Sequence, residues 1–196
     1  MSGHARGEQI EEAELISRAR EGSDAAWHSL VLAHQDATFR LAYLLLGDRD
    51  EAEDVAQDTF IRAYHALSTF DDTRPLRPWL IAIATNLVRN RRRSLGRYLA
   101  AIRRSIQAEP QPVATLGERT GQEWEAQTLW QAVRRLKAAE QEVIYLRYFL
   151  EMSEADMANA LQVAPGTVKS RLHRAVARLR TVVDADFPAL REERQI

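Results

Sequence analysis

The stretch "MSEADMANALQVAPGTVKSRLHRAVARLR", residues 152–180, divides into a short apolar-faced segment, a turn, and a longer segment whose polar positions are mostly basic. Ser153 followed by Asp156 is a variant of the capping box, in which short polar side chains satisfy orphan N–H groups of a first helical turn. Met157, Ala158 and Leu161 give that helix one apolar face. The turn falls at Gln162, Val163 and Ala164, and Pro165 suits the opening of the next helix, where its missing N–H forfeits no bond. Val168, Leu172, Val176 and Leu179 recur three or four apart and predict a buried stripe, leaving Lys169, Ser170, Arg171, His173 and Arg174 pointing outward. A one-sided cationic helix behind a short helix and a tight turn is a helix-turn-helix of the size that enters a DNA major groove. Arginine there can fork onto guanine or onto phosphate, and the sequence leaves both open. The alternative is a solvated helix whose charges serve only solubility. Cap, turn, proline and single basic face together favour DNA.

Working outward toward the N-terminus, residues 24–46 read as one amphipathic helix capped by Ser23 or Asp24 and stopped by Gly47. Trp27, Leu30, Val31, Phe39, Leu41, Ala42 and Leu45 are its apolar positions. Asp48 opens the next helix, "RDEAEDVAQDTFIRAYHAL", with acids early and basic residues late, as the helix dipole prefers. Val55, Phe60, Ile61, Tyr64 and Leu67 are its expected core residues, while Asp50, Glu51, Glu53, Asp54, Gln57 and Asp58 form an acidic, polar surface. Dipole complementation accounts for Asp50 and Glu51. Asp54 and Asp58 lie further in and four apart, a like-charge pair that costs a few tenths of a kcal/mol unless a cation meets it. A turn-rich loop, "STFDDTRPLRP", then leads into "WLIAIATNLVRNRRRS", where Trp79, Ile83, Leu87 and Val88 suit a buried face. Arg89, Arg91, Arg92 and Arg93 form a basic end to that helix, which dipole complementation could explain. With Arg97, Arg103 and Arg104 close behind, an anionic partner is the more economical reading.

Composition narrows the class. The chain has 196 residues, a formal net charge of −1 and no cysteine, which excludes disulfides and zinc-finger sites. The five histidines lack ligand spacing, and no Walker loop, GxGxxG or nucleophile elbow is present, so neither a metal, a cofactor nor an enzymatic activity is expected. No apolar run is long enough to insert into a membrane, and a cytoplasmic location is expected. Charge is segregated: acids crowd residues 8–24 and 48–58, bases residues 89–104 and 169–180. That arrangement suits a bridge between a basic protein surface and nucleic acid, and predicts that the isolated protein binds DNA poorly. Periodicity fades over residues 96–122, which include "QAEPQPVATLGERTGQ" and read as a linker. A helix from Glu123 to Leu136, with Trp130, Val133 and Leu136 on one side, then pairs with another around Glu142 to Leu150. As a coil that linker spans roughly 30 Å and fully extended about 90 Å, whereas DNA elements two helical turns apart are separated by about 70 Å.

"GTVKSRLHRA", preceded by "EVIYLRYFLEMSEADMA", resembles region 4 of sigma-70-type initiation factors, in particular the small extracytoplasmic-function group. The resemblance implies that this helix-turn-helix reads a minus-35 promoter element through Lys169, Ser170, Arg171, His173 and Arg174. It departs from the family at Gln162, where a turn glycine is usual, and at the proline, which stands one place later. "DEAEDVAQDTFIRAY" resembles the region 2.2 helix that grips the clamp coiled coil of RNA polymerase, implying Asp54, Gln57 and Asp58 as contacts. The following loop and helix resemble regions 2.3 and 2.4, which capture a base flipped from the minus-10 element. By position, Phe70 lies in that loop, Asn86 on the helix floor and Ala63 on the facing helix, with Arg89, Arg92 and Arg93 beside the opened strand. Unstacking a base costs a few kcal/mol, and a pocket offering stacking and edge hydrogen bonds recovers about 1 to 3 kcal/mol per base.

The expectation is therefore an all-α protein of two small helical domains, region 2 over residues 11–95 and a region 4 helix-turn-helix over 123–183, joined by the linker at 96–122. Its implied partners are core RNA polymerase, through the clamp of the largest subunits, promoter DNA and an anti-sigma factor. A helix-turn-helix regulator that is not a polymerase subunit, or an enzyme with a DNA-binding tail, would share the C-terminal motif but have no use for the acidic helix and basic helix upstream.

Overall fold

Ser23 starts the first long amphipathic element: in the computed structural model, which describes residues 2–105 and 121–187 and the side chains of 11–95 and 127–187, its hydroxyl accepts from the Ala26 N–H at 3.3 Å. Helix α1 (Ser2–Arg20) precedes it and α2 (Asp24–Leu46) follows. Helix α2 ends where Gly47 turns left-handed at φ 78°, a conformation that costs a side-chain-bearing residue about 1 kcal/mol. The Arg134 guanidinium also occupies the space where a Cβ at that position would stand. Asp48 caps α3 (Arg49–Ala66) by accepting from the Glu51 N–H at 2.9 Å. A single 3-10 turn, Leu67–Thr69, and a loop lead to α4 (Leu76–Ser105).

Two sequence expectations are corrected in this half. Ile61 and Tyr64 are 56% and 43% exposed, because Val55, Thr59, Phe60 and Ala63 occupy the core-facing stripe of α3 and the helical period carries residue 61 away from it. Tyr64 instead lies against Trp27 at 5.3 Å. Helix α4 does not end at Arg93 but continues to Ser105, so Arg89, Arg91, Arg92 and Arg93 lie inside the helix and its C-terminal dipole does not account for them. Residues 96–105 of the stretch read as linker are thus helical, and 106–120 lie outside the described residues.

The C-terminal half comprises α5 (Gly121–Arg134), α6 (Ala138–Ile144) running into one π-helical turn (Tyr145–Phe149), α7 (Glu154–Leu161) and α8 (Pro165–Asp186). The Ser153 hydroxyl accepts from the Asp156 N–H at 3.1 Å and donates to its carboxylate at 2.7 Å. Gln162 takes the left-handed position at φ 55°, and the Val163 N–H folds back to the Ala158 carbonyl at 3.1 Å, the closure expected of a helix end of this kind. Pro165 is the first residue of α8. Val168 and Ala175 are fully buried, with Leu172, Val176 and Leu179 packed at the margin.

The described residues contain helices and turns and no strand, giving an all-α fold. Its two halves are not separate bodies. Leu41, Ala42, Ala84 and Val88 share one apolar cluster with Val133, Leu136, Tyr145, Met157 and Leu161. A second cluster, with Ile16, Leu30, Phe60, Leu67, Phe70, Leu76 and Leu80, belongs to α1 through α4 alone. The spacing of apolar residues within each helix gave no indication that the halves share a core.

Candidate nucleic-acid interface

The acidic surface of α3 stands as expected: Asp54 and Gln57 are exposed and Asp58 is half-exposed. The cation required near Asp54 comes from the same chain. Arg91 on α4 bonds Glu51 at 2.5 Å and reaches Asp54 at 3.4 Å. Among the described residues no cation lies within ion-pair distance of Asp58.

Of the α4 arginines expected to face an opened strand, two turn toward the C-terminal half. Arg89 makes a forked pair with Glu142 of α6, Nε at 2.8 Å and Nη2 at 2.7 Å, the planar geometry that favours arginine over lysine. The hydrogen bonds to Glu142 raise the basicity of that guanidinium against the opposing effect of its burial. Arg92 donates to the Leu45 carbonyl and, at 2.8 Å, to the Gln141 amide oxygen. Burial lowers its basicity, with Glu142 opposing that and Arg134 adding to it. Gln141 in turn donates to the Arg134 and Leu136 carbonyls at 2.9 Å each. Arg93 is exposed and, among the described residues, bonds only within its own helix, to Asn90 at 2.6 Å and the Arg89 carbonyl at 3.4 Å.

Phe70 is buried, its ring 4.7 Å from that of Trp79. Both line a cleft of about 290 Å³ with Pro75 and Ala82, and its opposite wall is Asn159 of α7 and Gln162 of the following turn. Ala63 is fully buried and Asn86 is exposed on α4; neither lines this cleft. The loop carrying Phe70 is tied to α1. Arg20 donates through Nε to the Leu67 carbonyl at 3.0 Å, through Nη2 to the Phe70 carbonyl, and through Nη1 to Asp72 at 2.8 Å.

On α8, Lys169, Ser170, His173 and Arg174 are exposed and Arg171 is half-exposed. Among the described residues Lys169, Arg171 and Arg174 have no acidic partner; Arg174 bonds the Ser170 carbonyl at 3.2 Å within the helix. This basic face is open to an anion, unlike that of α4.

Sequence reasoning missed Arg20, Glu12, Gln141 and Glu142. The first two lie in a segment read only as acid-rich. Glu142 was read only as the start of a helix, although the run "EVIYL" that begins there points to a helix enclosed on several sides. Among the described residues no acidic, histidine or cysteine group is arranged to hold a metal ion, and no helix is long and apolar enough to cross a membrane.

The family profiles for Sigma-70 region 2 and Sigma-70, region 4 match residues 30–98 and 126–179. The chain is 35% identical to the ECF RNA polymerase sigma factor SigW of Bacillus subtilis, covering 84% of this chain and 92% of that one. Among solved structures it is similar to CnrH in complex with the cytosolic domain of CnrY, with a TM-score of 0.68, 28% identity, and coverage of 90% of this chain and 99% of that one. It is similar also to RpoE in complex with the anti-sigma factor NepR from Bartonella quintana, with a TM-score of 0.66, 29% identity, and coverage of 81% and 97%. The protein with the acidic α3, the aromatic loop beneath α7 and the cationic α8 belongs to the sigma-70 family, in its extracytoplasmic-function group.

Proposed function

We propose that this chain is a promoter-specificity subunit that binds core RNA polymerase, directs it to particular promoters and assists DNA opening without chemistry of its own. The observation that carries the reading is the solvent-facing cationic stripe Lys169, Ser170, Arg171, His173 and Arg174, without an acidic partner among the described residues and borne on the same chain as the exposed acids of α3. Residues 11–95 would supply the polymerase and minus-10 contacts and residues 123–183 the minus-35 contacts. Asp54, Gln57 and Asp58 would meet the polymerase clamp. Ala63, Phe70, Asn86, Arg89, Arg92 and Arg93 would serve the opened strand, with Ala63 acting by its small size behind the loop. The solved relatives held by CnrY and by the anti-sigma factor NepR support a protein partner that masks this chain in the cytoplasm. A regulator acting outside the polymerase would share α7 and α8 but need no acidic α3.

Transcription in vitro with purified core polymerase tests this directly. Initiation at a specific promoter should depend on the added chain, and the Asp54→Lys, Asp58→Lys double variant should lose association with core by at least about tenfold. Association untouched by that charge reversal would remove α3 from the interface, and core that initiates no better with the chain than without it would remove the function.

A further inference from the structure

Two side chains of α1 hold both ends of the loop that carries Phe70. Glu12 and Arg20 lie eight residues apart on one helix, about 12 Å along its axis. Glu12 accepts from the Leu76 N–H at 3.1 Å, so its carboxylate caps the first turn of α4, and its other oxygen is bonded to His34 at 3.0 Å. Arg20 gathers the Leu67 carbonyl, the Phe70 carbonyl and the Asp72 carboxylate around one guanidinium. Between these anchors the loop braces itself only locally, with Asp71 accepting from the Thr73 hydroxyl at 2.6 Å. Ile16 and Ala19, on the same side of α1, pack in one cluster with Leu67, Phe70 and Leu76.

We infer that α1 is the template of the strand-capturing loop, with Arg20 and Glu12 as positioning residues for DNA opening, although both lie before the region 2 match, which begins at residue 30. The inference rests on the proposed role of Phe70. Arginine suits the task because three acceptors in different directions need a rigid fork, which a lysine ammonium on a flexible stem does not present. A loop fixed by two backbone carbonyls keeps its shape whichever side chains it carries, so the wall that Phe70 and Trp79 give the cleft needs no ordering before a flipped base enters it.

The test uses holoenzyme assembled from core polymerase and full-length chain, on a promoter it transcribes. The readouts are core affinity and strand opening, the latter by permanganate reactivity of unpaired thymines. Arg20→Ala is expected to slow opening about tenfold with core affinity unchanged, and Arg20→Lys to behave like Arg20→Ala. The double variant Arg20→Ala, Phe70→Ala should open no more slowly than Phe70→Ala alone, because Arg20 acts through that ring; a merely structural loss would multiply with it. Asp72→Ala, on the exposed loop, removes one anchor without touching the core and should slow opening about threefold, which keeps the test usable should Arg20→Ala not fold. Normal opening by Arg20→Ala, full rescue by lysine, or multiplying effects would overturn the template role. Normal opening by Phe70→Ala would instead overturn the reading of Phe70 on which it rests.

Discussion

Gln162 carries a left-handed backbone at the end of α7, φ 55°, where the related family usually places glycine. A residue with a Cβ pays about 1 kcal/mol for that conformation, and its side chain is exposed, so little packing offsets the strain. Gln162→Gly should raise the melting temperature by about 3 °C, the shift that about 1 kcal/mol produces in a chain of this size; a lower melting temperature in calorimetry would mean that the side chain stabilises the turn. Glu12 makes a different expectation at the same scale. Half-burial pushes its carboxyl up, but the bonds to His34 and the Leu76 N–H, with the His34 charge, outweigh that and hold it below the ordinary 4.5. The folded state therefore favours the carboxylate. Its contribution is present above pH 4.5 and is lost as pH falls from there through the lower folded value. Urea denaturation of Glu12→Gln between pH 6 and pH 3, values chosen as roughly bracketing that window, should show a shallower acid loss than the wild type. Parallel curves would show that the carboxylate has no such preference.

At the scale of elements, what was legible in the sequence was what the chain decides locally. Ser23, Gly47, Asp48, Ser153 and Pro165 each mark a helix end, because a cap is a contract between residues three or four apart, and all five stand where that reading places them. The outward face of α8 was legible for the same reason. Helix α4 was not, since arginines and Gly96 blur its apolar period after Val88 while the helix continues. The partners of Arg89 and Arg92 were not legible at all, since Glu142 and Gln141 approach from a helix more than forty residues away, and no spacing rule reaches that far. The link between α3 and α4 is of a third kind. Arg91 joins Glu51 and Asp54 across the two helices, but its side chain is 34% exposed and those of its partners 48% and 62%. Water screens such pairs, so Arg91→Ala should cost less than about 1 kcal/mol in chemical denaturation. It should leave Asp54 fully available to a cationic partner, and a loss of several kcal/mol would mean that the bridge, rather than the apolar faces, holds the helices together.

Over the whole molecule, helix α4 is the common wall: its apolar face serves both halves, and Arg89 reaches across to a Glu142 side chain only 5% exposed. In this arrangement two of the three arginines proposed for the opened strand, Arg89 and Arg92, are occupied by α6, and the cleft beside Phe70 is walled by α7. The surface proposed for the opened strand is thus poorly presented in the closed chain while the face of α8 stays open, which gives a structural reason for the isolated protein to bind a whole promoter weakly. Simultaneous contact with elements about 70 Å apart requires the halves to separate, and whatever binds the open form stabilises it by its preference for that form. Glu142→Ala probes the balance without removing a proposed DNA contact. Arg89 is 33% exposed and rehydrates once unpaired, so the loss falls below the usual cost of breaking a buried pair, at about 1.4 kcal/mol or tenfold toward the open form. Because the chain has no cysteine, Asp36→Cys and Ala177→Cys, both at exposed positions, allow a dye on each half. Fluorescence transfer should fall when the wild type binds core polymerase, and Glu142→Ala should lower it in the free protein while tightening its binding to promoter DNA. Transfer unchanged in the variant would locate the latch in the shared apolar cluster instead, and transfer unchanged on core binding would mean that the closed form itself is the one polymerase accepts.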